Sequence, residues 1–183
     1  MKIYFSGAHS SGKSTLARYT SEKYKLPMIS ETARMILSEQ ELQIDSLRSN
    51  LDVANQYQKN VFDRQIIEET NHNEFVSDRC LIDILAYSGQ HASILPELVN
   101  SLEFAQHLQF IKDAKTCIFF VRPSKVTLKS DGVRESLNWD GVVAIDAQIK
   151  LLFQMYDIKY FQINADSMQE RIGMIDAVLS LHK

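Results

Sequence analysis

Short apolar runs alternate along the chain with longer segments that mix polar and apolar residues. The short runs predict five strands: Lys2–Ser6, Pro27–Ser30, Glu74–Ser77, Lys115–Val121 and Lys159–Ile163. The longer segments repeat their apolar residues at helical spacing and predict helices over Lys13–Lys25, Glu31–Gln40, Ser46–Asn71, Cys80–Ser88, Pro96–Lys112, Asp140–Tyr156 and Met168–Leu181. Strands that alternate with helices predict an α/β fold, in which helices cover both faces of a parallel sheet.

The chain has the length and composition of one folded domain. Its 183 residues are 45% hydrophobic and 23% charged, which is an ordinary balance for a globular protein with a continuous core. No internal repeat, linker or low-complexity tract divides it. We therefore expect a single domain over residues 1–183.

Several classes of protein are disfavoured by the sequence. The longest unbroken apolar run, Cys117–Val121, is far shorter than a membrane span, and the opening residues lack the hydrophobic region of a signal peptide. Cys80 and Cys117 lie far apart and the five histidines show no metal-ligand spacing, so we expect reduced thiols in a cytoplasmic protein. The net charge of −3 argues against a large nucleic-acid surface.

Residues 7–14 read GAHSSGKS and fit the phosphate-loop pattern G-x-x-x-x-G-K-[ST] at every fixed position. The segment follows a predicted strand and opens a predicted helix, which is the context that this motif requires. Glycines let the backbone wrap so that consecutive N–H groups point into an anion-sized hollow, and the helix adds the positive end of its dipole. The segment therefore predicts a site for nucleotide phosphates.

Two side chains of this loop are suited to phosphate chemistry. Lys13 supplies a positive charge for the β- and γ-phosphates, and the Ser14 hydroxyl can ligate Mg²⁺, so ATP and Mg²⁺ are the expected ligands. His9 is interpreted as a wall residue of the loop rather than as a catalyst. The predicted nucleotide-binding residues are Gly7, Ala8, His9, Ser10, Ser11, Gly12, Lys13, Ser14 and Thr15.

Charged residues follow the second and third predicted strands. Asp78 can hold the Mg²⁺ water shell, and Arg79 suits a second phosphate or a leaving group; alternatively, the pair only caps the next helix. Glu31 follows Pro27–Ser30, and ligands of open parallel sheets bind at the carboxyl ends of strands. Glu31 could therefore accept the proton of an acceptor hydroxyl, or it could simply favour the dipole of the helix that it begins.

A polar segment at about residues 122–138 follows the fourth predicted strand and carries Lys125, Lys129 and Arg134. We predict that this segment is a lid that closes over ATP, expels water and places the Arg134 guanidinium on the transferring phosphoryl group. The alternative is a charged loop that is simply solvated.

Four motifs together resemble those of the P-loop nucleoside and nucleotide kinases, in particular the small AAA-type ATPase and kinase group that includes the ribosylnicotinamide kinase domain. They are Gly7–Ser14, SETAR at 30–34, SDR at 77–79 and SDGVR at 130–134. The resemblance implies a three-layer P-loop NTPase fold, with a five-stranded parallel sheet and a short lid. It also implies an ATP-dependent kinase, in which Lys13 and Ser14 handle phosphate and Mg²⁺ and Asp78 supports the metal or the substrate.

The resemblance extends to the acceptor side of the site. In deoxynucleoside kinases a glutamate after the second strand serves as the base, and Glu31 matches that place. Thymidylate kinases also carry an Asp-Arg pair after the third strand, so Asp78 and Arg79 do not choose between nucleoside and monophosphate acceptors. The Arg-Glu-Pro of thymidylate kinases is replaced here by Ser30-Glu31-Thr32. By fold analogy, residues 164–166 line an adenine slot, and homodimers are common among such kinases.

The sequence therefore favours two classes of function. The first is a kinase that phosphorylates a nucleoside, a nucleotide or a similar small metabolite with ATP. The second is a regulatory ATP-binding or ATPase module without a small-molecule acceptor. A kinase acting on polynucleotide ends is a weaker third hypothesis, because such a protein would need a basic groove that the net charge of −3 disfavours.

Overall fold

The computed structural model describes residues 1–40, 47, 49–124 and 139–181. Five strands form one parallel sheet in the order β2-β3-β1-β4-β5. They are β1 (Lys2–Ser6), β2 (Met28–Ile29), β3 (Phe75–Asp78), β4 (Thr116–Val121) and β5 (Phe161–Ile163). The five-stranded parallel sheet with helices on both faces is confirmed.

Helices connect the strands, as parallel pairing requires. The described helices are α1 (Lys13–Tyr24), α2 (Thr32–Glu39), α3 (Leu51–Thr70), α4 (Leu81–His91), α5 (Leu95–Val99), α6 (Leu102–Ile111), α7 (Trp139–Met155) and α8 (Met168–Ser180). Within these described ranges, no helix combines the length and the apolar character needed to cross a membrane.

The hydrophobic core lies in two layers, one on each face of the sheet. Successive side chains of a strand point to opposite faces, so Ile3 and Phe5 pack against α1 and α8, while Tyr4 packs on the other side. That second layer is larger and includes residues of α3, α4, α6 and α7. The sheet is therefore covered on both faces, and the carboxyl ends of its strands meet at one edge.

Two helix predictions differ from the structure. The single helix predicted over Pro96–Lys112 is wrong, because the chain breaks into α5 and α6 at Ser101. This residue has an extended ψ of 151°, and its hydroxyl accepts a hydrogen bond from the Phe104 N–H at 3.1 Å, which starts a new helix. The long helix predicted from Ser46 begins at Leu51, where the Asn50 side chain accepts from two backbone N–H groups. Part of its predicted start, residues 46 and 48, lies outside the described residues.

Candidate active site

The phosphate loop connects β1 to α1 at the centre of the sheet. Gly7 has a φ of +145°, and a Cβ atom built there would lie 2.3 Å from the Val121 carbonyl oxygen, so only glycine fits. Gly12, with a φ of +92°, is the N-cap residue of α1. The loop therefore leaves a central strand and ends on a helix N-terminus, which is the arrangement that binds phosphate groups.

Lys13 is almost fully buried, with 5% of its surface exposed, and its Nζ donates to the Ala8 carbonyl at 2.7 Å. Burial lowers the pKa of Lys13 to about 8 and the charge of Arg79 adds to this shift, whereas the carboxylates of Asp83, Asp78 and Glu31 oppose it. Arg79 follows Asp78 at the end of β3 and is bonded to Glu31, and β3 lies beside β1, from which the loop to Lys13 leaves. The predicted Lys13, Glu31, Asp78 and Arg79 therefore lie on the same side of the sheet edge.

Asp83 ties the phosphate loop to α4. Its Oδ1 accepts from the Gly7 N–H at 2.7 Å, its Oδ2 accepts from the Cys80 N–H at 2.8 Å, and the side chain is fully buried. Burial raises the pKa of Asp83, and the positive charges of Lys13 and Arg79 oppose that rise. Asp83 was not among the residues predicted from the sequence, although an acid three positions after the N-cap residue is a recognisable capping signal.

Helix α4 also decides the alternative interpretation of the Asp78–Arg79 pair. The N-cap of α4 is Cys80, one residue after the pair, and the backbone N–H of Cys80 is bonded by Asp83. The interpretation that Asp78 and Arg79 only cap this helix is therefore wrong. Asp78 instead ends β3 beside Phe5 of β1, with 4% of its surface exposed.

Glu31 lies between two arginines. Its Oε1 accepts from Arg79 Nε at 3.0 Å and from Arg79 Nη2 at 2.5 Å, while its Oε2 pairs with Arg34 Nε at 2.8 Å. Glu31 is the N-cap residue of α2, but its side chain makes no capping hydrogen bond. One carboxylate oxygen thus reaches Arg79 after β3 and the other pairs with Arg34 of α2, and neither caps the backbone of the helix that Glu31 begins.

Arg79 is held in a strained backbone conformation and is almost fully buried. Its φ is +134°, a region that side-chain-bearing residues rarely adopt, and its guanidinium carbon lies 4.8 Å from the centre of the Tyr87 ring. Its Nη1 is buried and has no hydrogen-bond partner of acceptable geometry among the described residues. A buried donor of this kind is an observation in favour of a ligand that supplies an acceptor oxygen.

Tyr87 links Arg79 to the phosphate loop. Its hydroxyl oxygen accepts from the His9 backbone N–H at 2.9 Å and lies 2.9 Å from His9 Nδ1. Burial raises the pKa of Tyr87, with the Arg79 charge acting in the opposite direction. The His9 side chain therefore contacts Tyr87, which was not among the residues predicted from the sequence.

A buried polar chain supports α2 from behind. The Thr32 hydroxyl donates to Gln65 Oε1 at 2.8 Å, and Gln65 Nε2 donates to Glu69 Oε1 at 2.7 Å. Glu69 Oε2 accepts from the Tyr4 hydroxyl at 2.6 Å and lies 2.6 Å from His107 Nε2. Helix α2 is thus fixed at its first residue, immediately after Glu31, by side chains of α3 in the core.

Arg171 joins three loops at the edge of the sheet where the strands end. Its Nη1 donates to the Ser11 carbonyl, its Nε to the Ala165 carbonyl at 2.5 Å and its Nη2 to the Arg122 carbonyl at 3.3 Å. The side chain is fully buried. Nothing in the sequence marks Arg171, because a charged residue in an amphipathic helix is normally solvated.

The remaining predicted site residues lie in the first turn of α1 and in the predicted lid. Ser14 and Thr15 are exposed in the first turn of α1, so their hydroxyls are accessible to a ligand. Ser14 and Asp78 offer the hard oxygen donors that Mg²⁺ prefers, so the residues present fit that ion. Arg134 and residues 125–138 of the predicted lid lie outside the described residues.

The AAA domain family matches residues 2–171, which is most of the chain. The protein belongs to this family. No curated protein matches the sequence of this AAA domain protein. Its fold is that of P-loop nucleoside and nucleotide kinases, since the solved structures of a deoxyadenosine kinase and of the NadR protein match 100% and 97% of the chain.

Three solved structures illustrate the similarity of this AAA domain protein. Deoxyadenosine kinase from M. mycoides, with dCMP and dCDP as products, has a TM-score of 0.69 at 14% identity, and 100% of both chains is covered. The NadR protein in complex with NR has a TM-score of 0.71 at 17% identity, over 97% of this chain and 50% of that chain. Shikimate kinase from Acinetobacter baumannii has a TM-score of 0.57 at 12% identity, over 98% and 91%.

Proposed function

We propose that the protein is a kinase that transfers the γ-phosphoryl group of ATP to a hydroxyl of a nucleoside, a nucleotide or a similar small metabolite. The observation that carries the proposal is the Glu31 carboxylate, which is held by Arg79 and Arg34 in the same charge cluster as Lys13 of the phosphate loop. A carboxylate in this place can accept a proton from an acceptor hydroxyl as that oxygen attacks phosphorus.

The phosphate loop would hold the donor nucleotide. Its backbone N–H groups and the N-terminus of α1 bind phosphate oxygens, and Lys13 adds a positive charge from within the loop. Ser14 and Asp78 would hold Mg²⁺, directly or through water. When bound, the ion neutralises negative charge on the β- and γ-phosphates, which is its usual contribution to phosphoryl transfer.

Arg79 would act on both substrates. Two of its nitrogens orient the Glu31 carboxylate, and the buried Nη1 remains available to the transferring phosphoryl group or to the acceptor oxygen. Leaving a buried donor unsatisfied costs about 1–3 kcal/mol, and a substrate oxygen that accepts from Nη1 removes this cost. Arg134 of the predicted lid would add a second guanidinium when the lid closes.

The solved structures with this fold suggest which acceptors to test first. Two of them are deoxyadenosine kinase with bound dATP and NadR with bound NR, and the similarity covers 98% and 97% of this chain. Another is shikimate kinase in complex with shikimate. At identities of 12–17% the fold alone is shared, so nucleosides and nucleotides are proposed as the first acceptors to test, and shikimate kinase shows that the fold alone does not fix the acceptor.

An ADP-release assay with ATP and Mg²⁺ tests the proposal. Nucleosides, nucleoside monophosphates and nicotinamide riboside would be supplied in turn, with Lys13→Ala as the inactive control. We expect rapid ADP release with one acceptor class only. ADP release that is the same with and without every acceptor would favour the regulatory ATPase hypothesis and contradict the kinase.

A variant of Glu31 tests the proposed base within the same assay. Glu31→Gln should lower kcat about 100-fold to 10,000-fold while the Kd for ATP stays within about 2-fold, because the amide cannot accept the proton. Glu39→Gln is the matched control, since Glu39 lies at the other end of α2 and is exposed. Equal kcat values in the two variants would remove Glu31 from the chemistry.

A further inference from the structure

Arg171 lies outside the four motifs that define the candidate site, yet its guanidinium reaches the phosphate loop. The donor groups of this one side chain bind three backbone carbonyls: those of Ser11 in the phosphate loop, Arg122 after β4 and Ala165 after β5. Each carbonyl belongs to a loop that follows a different strand of the sheet. The side chain has no exposed surface, so these bonds are made in a desolvated setting where charge-assisted bonds are strong.

The bond to Ser11 fixes the orientation of one peptide group. A trans peptide is planar, and its N–H points opposite to its C=O. Because the Ser11 carbonyl points toward Arg171, the N–H of Gly12 in the same peptide group points away from Arg171 and α8. Gly12 is the N-cap residue of α1, so this N–H belongs to the set that a phosphate oxygen would meet at the helix N-terminus.

Close packing around Gly12 keeps the peptide in this orientation. A Cβ atom at Gly12 would lie 3.0 Å from Met168 Cε and 3.5 Å from Arg171 Nη1, so the first turn of α8 lies directly against the loop. Gly12 itself has a φ of +92°, a value that lets the chain turn here without a side chain. Rotation of this peptide would bury the Ser11 carbonyl without a partner, which is unfavourable.

We infer that Arg171 is a positioning residue for nucleotide binding: it orients the Ser11–Gly12 peptide so that the loop presents its N–H groups to phosphate. The inference rests on the proposed nucleotide site and adds a residue from α8 to it. The same guanidinium fixes the Arg122 and Ala165 carbonyls, so it also joins the phosphate loop to the loops after β4 and β5. Changes at Arg171 should therefore weaken the binding of the donor's phosphates rather than the chemistry at Glu31.

Direct binding measurements separate this role from a contribution to stability alone. The Kd values of ATP and of tripolyphosphate, both with Mg²⁺, would be measured by calorimetry for the wild type, Arg171→Met, Arg171→Lys and Ile175→Ala. Tripolyphosphate has no base or sugar, so it reports on the phosphate loop alone. Ile175 is fully buried one turn further along α8, in a core cluster that includes no described residue of the phosphate loop, so Ile175→Ala controls for loss of stability.

Arg171→Met should raise both Kd values by about 10-fold to 100-fold, which is the effect of losing one well-oriented charged hydrogen bond. Arg171→Lys keeps the positive charge, so its Kd values should rise by a smaller factor. The Kd values of Ile175→Ala should stay within about 2-fold of those of the wild type. Should Arg171→Met fail to fold, Arg171→Lys decides by its own Kd values. Unchanged Kd values in a folded Arg171 variant would overturn the inference. A variant that binds ATP more weakly but tripolyphosphate as tightly as the wild type would also overturn it. A wild type that binds neither ligand would overturn the proposed nucleotide site itself.

Discussion

The strongest quantitative prediction concerns the burial of Lys13. Burial lowers its pKa from 10.5 to about 8. Keeping this ammonium charged inside the folded protein therefore costs about 3 kcal/mol at neutral pH. Between these two pKa values the unfolded chain holds a proton at Lys13 that the folded chain has released. The unfolded state then binds more protons, so the contribution of Lys13 to the free energy of unfolding rises with pH in this window.

Lys13→Met removes the titrating group and isolates this contribution. The difference in free energy of unfolding, wild type minus variant, should increase by about 2.5 kcal/mol between about pH 7 and pH 10. The variant also loses the hydrogen bond to the Ala8 carbonyl. That loss shifts the difference by the same amount at every pH and leaves its slope unchanged.

Urea unfolding of the nucleotide-free protein, followed by circular dichroism across this pH range, measures the difference. Lys159→Met is the matched control, because Lys159 is exposed and this substitution removes a lysine that is not buried on folding. A difference between wild type and Lys13→Met that stays flat from about pH 7 to pH 10 would refute the burial of a charged Lys13.

Three further substitutions, one of them with a matched control, test separate parts of the account. Arg134→Ala should lower kcat about 100-fold or more with little change in ATP affinity, and an unchanged kcat would remove Arg134 from the mechanism. Asp83→Asn should lower the free energy of unfolding by about 1–3 kcal/mol in urea, because one of its two backbone donors loses its acceptor. Gly7→Ala should lower the free energy of unfolding by at least about 2 kcal/mol, because its methyl group would clash with the Val121 carbonyl. Gly141→Ala, with open space around the new methyl group, should keep or gain stability in the same denaturation assay.

Sequence patterns predicted the sheet and its order of elements well because the central strands β1 and β4 are short, largely apolar and almost wholly buried. The phosphate loop was equally readable, since its geometry requires glycines at fixed spacing and Gly7 and Gly12 do adopt positive φ values. The helix over residues 96–112 was predicted wrongly because apolar periodicity continues across Ser101. The interruption depends on a single side-chain cap.

The long-range contacts of the supporting residues could not be read from the sequence, although Asp83 itself stands at a recognisable capping position. Asp83, Tyr87 and Arg171 act through contacts with residues 76, 78 and 160 positions away, and no local pattern encodes contacts of that range. The sequence could place Glu31 and Arg79 after the second and third predicted strands, but not the two hydrogen bonds that join them. Such pairs depend on the register of the sheet and on the strained backbone at Arg79.

The central claim is that this site moves a phosphoryl group to an acceptor rather than to water. ATP labelled in its γ-phosphate, incubated with Mg²⁺ and each acceptor, tests this claim directly when the products are separated by chromatography. We predict that the label appears in one acceptor class, at a rate that falls about 100-fold or more in Glu31→Gln. Label found only in inorganic phosphate, at the same rate with every acceptor and in Glu31→Gln, would contradict the account.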